Sequence, residues 1–73
     1  MKIYCGEWVD MREGRKFAHR LTDKKAKTDC ERAEQKWTDE PIQWEKGKKG
    51  DTIKWIGKTK YHTFYVNQYE VKS

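Results

Sequence analysis

Apolar and polar positions alternate with a period of two in most of this chain, and with a helical period in one stretch only. Ile3 to Val9 reads as a strand, and Asp10-Met11-Arg12-Glu13-Gly14 as the hairpin connection that follows it. Lys16 to Leu21 returns as a second strand, with Phe17, His19 and Leu21 on one face and Lys16, Ala18 and Arg20 on the other. The period then changes. Ala26, Cys30, Ala33 and Trp37 fall at i, i+4, i+7 and i+11, one narrow stripe of a helix of about four turns. Thr22 or Asp23 is its N-cap, and Pro41 lies beyond its end. Trp37 is the expected anchor of this helix, so that Trp37→Ala should cost about 3–5 kcal/mol. Asp23 and Lys27 are expected to pair on its solvent side. Three more strands follow, at about 42–46, 52–57 and 61–71, with Gly57-Lys58-Thr59-Lys60 as the last turn.

The order strand-strand-helix-strand-strand-strand predicts an α+β fold: one helix packed on a curved antiparallel sheet of about five strands, in a single small domain, 1–73. One helix covers only one face of such a sheet. Alternation assigns Ile3, Cys5, Phe17, Leu21, Trp44, Ile53, Trp55, Phe64 and Val66 to the helix side. It assigns Tyr4, Trp8, Lys16, Arg20, Lys54, Ile56, Tyr65 and Tyr69 to the open side. A strongly curled sheet would instead fold some of these rings over its edges.

Composition sharpens this picture. Seventy-three residues can bury only about 60% of their unfolded surface. Four Trp, four Tyr and two Phe offset the shortage of Leu, Ile and Val, because each large ring buries roughly 150–250 Å². Charged residues make up 40% of the chain and the mean hydropathy is −1.29, values that suit disorder. The aromatic content does not suit disorder, and a folded domain with a heavily solvated surface is expected. No secretory signal and no apolar run of spanning length is present. The two cysteines, Cys5 and Cys30, fit reduced thiols in the cytoplasm.

The net charge of +5 is unevenly placed. Residues 1–40 hold ten Lys/Arg against nine Asp/Glu, whereas residues 41–73 hold seven Lys against three acids. Six of those seven lysines lie between Lys46 and Lys60, with Asp51 as the sole acid among them. The segment Lys46-Gly47-Lys48-Lys49-Gly50-Asp51 joins two tryptophan-bearing strands. Glycines let backbone approach a phosphate closely, and lysines act there as point charges. Such a surface favours anionic partners. A lysine-rich surface also serves solubility alone, and cross-strand tyrosines stabilise a sheet with no ligand.

Catalytic and metal motifs fare worse. Gly57-Lys58-Thr59 resembles the end of a P-loop, but Thr52 stands where the first glycine belongs and a strand follows instead of a helix. Cys5, His19, Cys30 and His62 are spaced by 14, 11 and 32 residues, without the close ligand pairs of structural zinc sites. Both cysteines are expected in the core, where they could touch. His62 near Tyr61, Lys58 and Lys60 could serve a small toxin-type ribonuclease, though any basic strand end has this look. Phe64-Tyr65-Val66 resembles the aromatic strand of RNA-recognition domains, but the chain has no room for that fold's second helix.

In organisation alone the chain resembles small phage-encoded proteins that disable bacterial defences, anti-CRISPR proteins among them. The shared features are shortness, the element order and a charged, tryptophan-rich surface; no motif matches residue by residue. The resemblance implies inhibition by binding to a host protein or nucleoprotein complex. The basic balance departs from the acidic DNA mimics of that group. The expectation is therefore a non-catalytic inhibitor, a monomer or weak dimer with no cofactor and no membrane contact. Lys48, Lys49, Lys54, Lys58 and Lys60 would supply charge, Arg20 a planar donor fork, and Tyr65 and Tyr69 aromatic anchors. A direct DNA- or RNA-binding module is the alternative, and the small ribonuclease comes after it.

Overall fold

A computed structural model describes residues 1–9 and 14–71. Of the expected hairpin connection at 10–14, residues 10–13 lie outside the described residues and Gly14 opens the second strand. The elements are β1 (Lys2–Val9), β2 (Gly14–Arg20), α1 (Asp23–Glu34), β3 (Gln43–Lys46), β4 (Ile53–Lys58) and β5 (Thr63–Glu70). They form one helix and one five-stranded sheet in the order β2-β1-β5-β4-β3, every neighbouring pair antiparallel. This is the α+β fold that the alternation predicts. No helix among the described residues is long and apolar enough to cross a membrane.

The central pair β1 and β5 is in unbroken register from Lys2↔Glu70 to Val9↔Thr63. Residues directly opposite in an antiparallel pair share a face. Gly6, Trp8, Phe64 and Val66 therefore lie on the helix side, with Trp55 and Gly57 of β4 beside them. Ile3, Cys5, Glu7, Ile56, Tyr65, Asn67 and Tyr69 lie on the other side. The expected faces of Phe64, Val66, Trp55, Ile56, Tyr65 and Tyr69 hold; those of β1 are inverted. Ile3 and Cys5 turn away from the helix, and Tyr4 and Trp8 turn towards it. The reason is steric. A Cβ at Gly6 would come within 2.7 Å of Cys30 Sγ and 3.0 Å of the Ala26 carbonyl oxygen. The helix needs a residue without a side chain at that point, and Gly6 sets the parity of the whole strand.

Two register shifts complete the redistribution. Between Cys5↔His19 and Glu7↔Lys16, two residues of β2 face one of β1, so strict alternation fails in β2. Arg20 consequently shares the helix side with Tyr4 instead of facing outward. A second shift between Ile53 and Trp55 places Ile53 opposite Asn67, away from the helix. Leu21 follows the end of β2 and is exposed. Gly57, expected in the last turn, lies buried within β4 under the Trp44 ring.

Thr22 caps α1, its hydroxyl accepting from the Lys25 N–H at 3.2 Å. The helix is shorter than its pattern suggests. After Glu34 the Trp37 and Thr38 N–H groups both donate to the Glu34 carbonyl, at 2.8 and 3.1 Å, and the regular ladder stops. Trp37 is thus outside the helix and 71% exposed, so it does not anchor the core. The buried stripe is Ala26, Cys30 and Glu34, at i, i+4 and i+8. Cys30, Ile42 and Phe64 form the core cluster, with Trp8, Phe17 and Trp44 packed around it half-buried. Burying a side chain such as Ile42 or Phe64 contributes roughly 1.5–3 kcal/mol.

Polar contacts fasten the helix to the sheet. Arg20 donates twice to Asp29, at 2.7 and 2.9 Å, from β2 to α1. The Trp55 indole N–H donates to Asp23 at 3.0 Å, and Lys27 Nζ lies 3.3 Å from the centroid of the same ring. Asp23 and Lys27 thus both engage Trp55 instead of forming the expected pair with each other. Both cysteines are buried and free, on opposite sides of the sheet by register. Burial pushes the Cys30 thiol up to about 12, with Asp29 adding to the effect. Burial also raises the Cys5 thiol, with Lys16 opposing it.

Candidate functional site

The connection from β3 to β4 is a built turn. The Gly47 N–H donates to the Lys54 carbonyl at 2.8 Å, and the Asp51 N–H to the Lys48 carbonyl at 3.1 Å. Gly50 has φ +87°, the left-handed region that a turn of this type requires. A Cβ at Gly47 would clash with the Ile53 carbonyl oxygen, so the loop can fold back on β4 only with glycine there. Asp51, the one acid of the loop, is turned onto its own backbone. Its Oδ1 accepts from the Ile53 N–H at 3.2 Å and lies 3.4 Å from the Thr52 hydroxyl.

The carboxylate is thus held by its own loop and pairs with none of the neighbouring lysines. Lys46, Lys48, Lys49 and Lys54 are exposed and form no ion pair with any described residue. They line a cavity of about 730 Å³ together with Asp51, Trp55 and Gln68. Four lysines against one aspartate leave the recess net positive, and exposed ammonium groups take phosphate or carboxylate as counter-charge.

The other expected site residues do not join this group. Lys58 ends β4 and pairs with Thr63, on the side away from the helix, roughly 17 Å of strand from Ile53. Lys60 lies in the following turn with its Nζ 5.9 Å from the Tyr61 ring centroid. Arg20 is held by Asp29, whose hydrogen bonds and charge raise the guanidinium pKa; its fork is already occupied. Tyr65 and Tyr69 lie half-buried on the uncovered face, beside Ile3 and Ile56. The structure therefore assembles Lys48, Lys49 and Lys54, adds Lys46, Trp55 and Gln68, and sets Arg20, Lys58, Lys60, Tyr65 and Tyr69 apart.

A second polar cluster escapes the sequence pattern. Glu34 is 1% exposed at the end of α1. Its carboxylate accepts from the Thr59 hydroxyl at 2.8 Å and lies 2.8 and 3.1 Å from His62 Nδ1. A carboxylate only accepts, so Nδ1 carries the hydrogen and Nε2 is the ring's remaining polar atom. The imidazole is enclosed by Trp8, Trp37 and Phe64, each at a steep angle, with centroids 5.3, 5.8 and 6.3 Å away. His62 thus packs inward and does not stand with Lys58 and Lys60 as a ribonuclease site there would require. One signal could have exposed Glu34: it continues the Ala26–Cys30 spacing by four more residues. The four candidate zinc ligands are dispersed, with Cys5 and His19 opposite each other on the outer face and Cys30 and His62 on the helix side. No family model, curated protein or solved structure matches the chain.

Proposed function

We propose that this chain is a non-catalytic binding protein that docks an anionic partner through the lysine-lined recess of residues 46–55. The observation that carries the reading is the loop's internal wiring. Its one acid, Asp51, accepts from its own backbone, while Lys46, Lys48, Lys49 and Lys54 line the same cavity with no ion pair to any described residue, four cations against one carboxylate. The partner is an acidic face of a host protein or nucleoprotein complex, and binding inhibits it. The phage or mobile-element origin of such an inhibitor rests on the resemblance in organisation alone.

Capture from bacterial lysate tests the reading. Wild-type protein should retain a partner that the double variant Lys48→Glu/Lys49→Glu loses. An identical retained set from both would remove the loop from the site. Direct nucleic-acid binding is the second reading, because the same recess suits backbone phosphate. It predicts binding to labelled DNA or RNA that falls steeply between about 50 and 200 mM salt, as released counterions require. A protein interface built partly on Trp55 depends on salt less.

A further inference from the structure

Two neighbouring cavities lie between β2 and the C-terminal half of α1, away from the lysine loop. One, about 440 Å³, is walled by Trp8, Trp37, Phe64 and His62, with Arg15 and Lys36 also lining it. The other, about 290 Å³, is lined by the Arg20–Asp29 ion pair and by Arg32 and Lys36. They share Phe17, Ala33 and Lys36, so they form one groove, aromatic at one end and cationic along the other. Arg15, Arg32 and Lys36 have no ion partner among the described residues. The aromatic compartment is within the roughly 300–1,000 Å³ range of small-molecule pockets.

We propose that this groove is a second binding site, for a nucleoside monophosphate unit. A flat base can stack on the solvent-facing side of the Trp37 ring, whose other side is set against His62, because bases stack on aromatic faces whatever their sequence. The phosphate then meets Arg15 and Lys36, and Arg32 extends the cationic track for a following phosphate. Glu34 acts as a positioning residue. By engaging Nδ1 it fixes the imidazole orientation and leaves Nε2 as the atom able to bond a base edge. Trp37 fits the role of a stacking platform: it is 71% exposed in a chain whose other tryptophans are half-buried, and its ring is nonetheless set against His62. The ligand could be a free nucleotide or one residue of a single strand, and both present the same ring and anion.

The test uses the whole chain and four 5′-nucleoside monophosphates, read by tryptophan fluorescence and by NMR of the Trp37 indole and His62 imidazole signals. Saturable shifts of these two residues are expected, with ribose 5-phosphate failing to reproduce them. Trp37→Ala should weaken binding by about tenfold, the scale of one lost stacking partner, and Arg15→Glu should weaken it at low salt. Lys48→Glu/Lys49→Glu should leave it unchanged, which separates this site from the lysine recess. A single-stranded RNA tetramer binding at least tenfold tighter than the monomer would identify a strand as the source; equal affinity would identify the free nucleotide. The proposal is overturned if no nucleotide shifts these signals up to about 10 mM, a concentration corresponding to less than 3 kcal/mol of binding. It is also overturned if binding survives Trp37→Ala unchanged, or disappears in the lysine-loop variant.

Discussion

The two connections at the ends of β4 are built on opposite plans. The turn after β4 directs its polar groups inward: Thr59 and His62 both bond Glu34, locking the end of α1 against the start of β5. The loop before β4 closes on itself through Gly47, Asp51 and Ile53, and its charges point to no described partner. One connection therefore holds the fold, and its loss should appear as instability. The other contributes little to folding, and its loss should appear as weaker binding.

Breaking the inward connection should give the largest effect. Glu34→Ala removes a buried carboxylate and leaves the Thr59 hydroxyl and His62 Nδ1 without their partner, at a cost of about 3–5 kcal/mol. Urea unfolding with an unchanged slope would measure it. A loss below about 1 kcal/mol would mean the network does not hold the helix end.

The packed side should also reveal itself through alkaline pH. Cys30 keeps its proton in the fold up to about 12, against an ordinary thiol value of 9.0. Between those values the unfolded chain has lost this proton while the folded chain retains it, so stability falls as pH rises. The contribution is fully present below pH 9 and amounts to about 4 kcal/mol across the window. Thiol labelling at pH 8 should correspondingly be slower by about 10³ than in the unfolded chain, the drop in thiolate fraction. Fast labelling of Cys30 under native conditions would contradict the close packing of α1 over Gly6.

Trp37→Ala should be mild by contrast. The residue is exposed and beyond the helix end, so the substitution should cost less than about 1 kcal/mol. A loss of several kcal/mol would return Trp37 to the core. Lys48→Glu/Lys49→Glu should change stability least, within about 0.5 kcal/mol per site.

The order of elements was legible because turn-forming residues punctuate each change of hydrophobic period. The faces of β5 and of most of β4 were legible because Phe64, Val66 and Trp55 alternate cleanly with Tyr65 and Ile56. β1 was not, since Ile3, Cys5 and Val9 compete with Tyr4 and Trp8, and the residue that decides between them, Gly6, has no side chain to register in a hydrophobic pattern. Trp37 continued the helical spacing after the backbone had left the helix. Glu34 was hidden because a carboxylate on a helix normally faces water. The lysine recess was partly legible: Lys48, Lys49 and Lys54 meet because a short loop keeps neighbours in sequence close in space. Lys58 and Lys60 are equally near in sequence, yet an extended strand carries them to the far end of the sheet.

The proposed function requires that the recess of residues 46–55 take an anion. NMR titration of the labelled protein with inorganic phosphate tests it most directly. Saturable shifts of the Gly47, Lys48, Lys49 and Gly50 amides and the Trp55 indole are expected, abolished by Lys48→Glu/Lys49→Glu. Shifts confined to Lys58, Lys60 or the groove beside Trp37, with the loop amides unmoved, would contradict it.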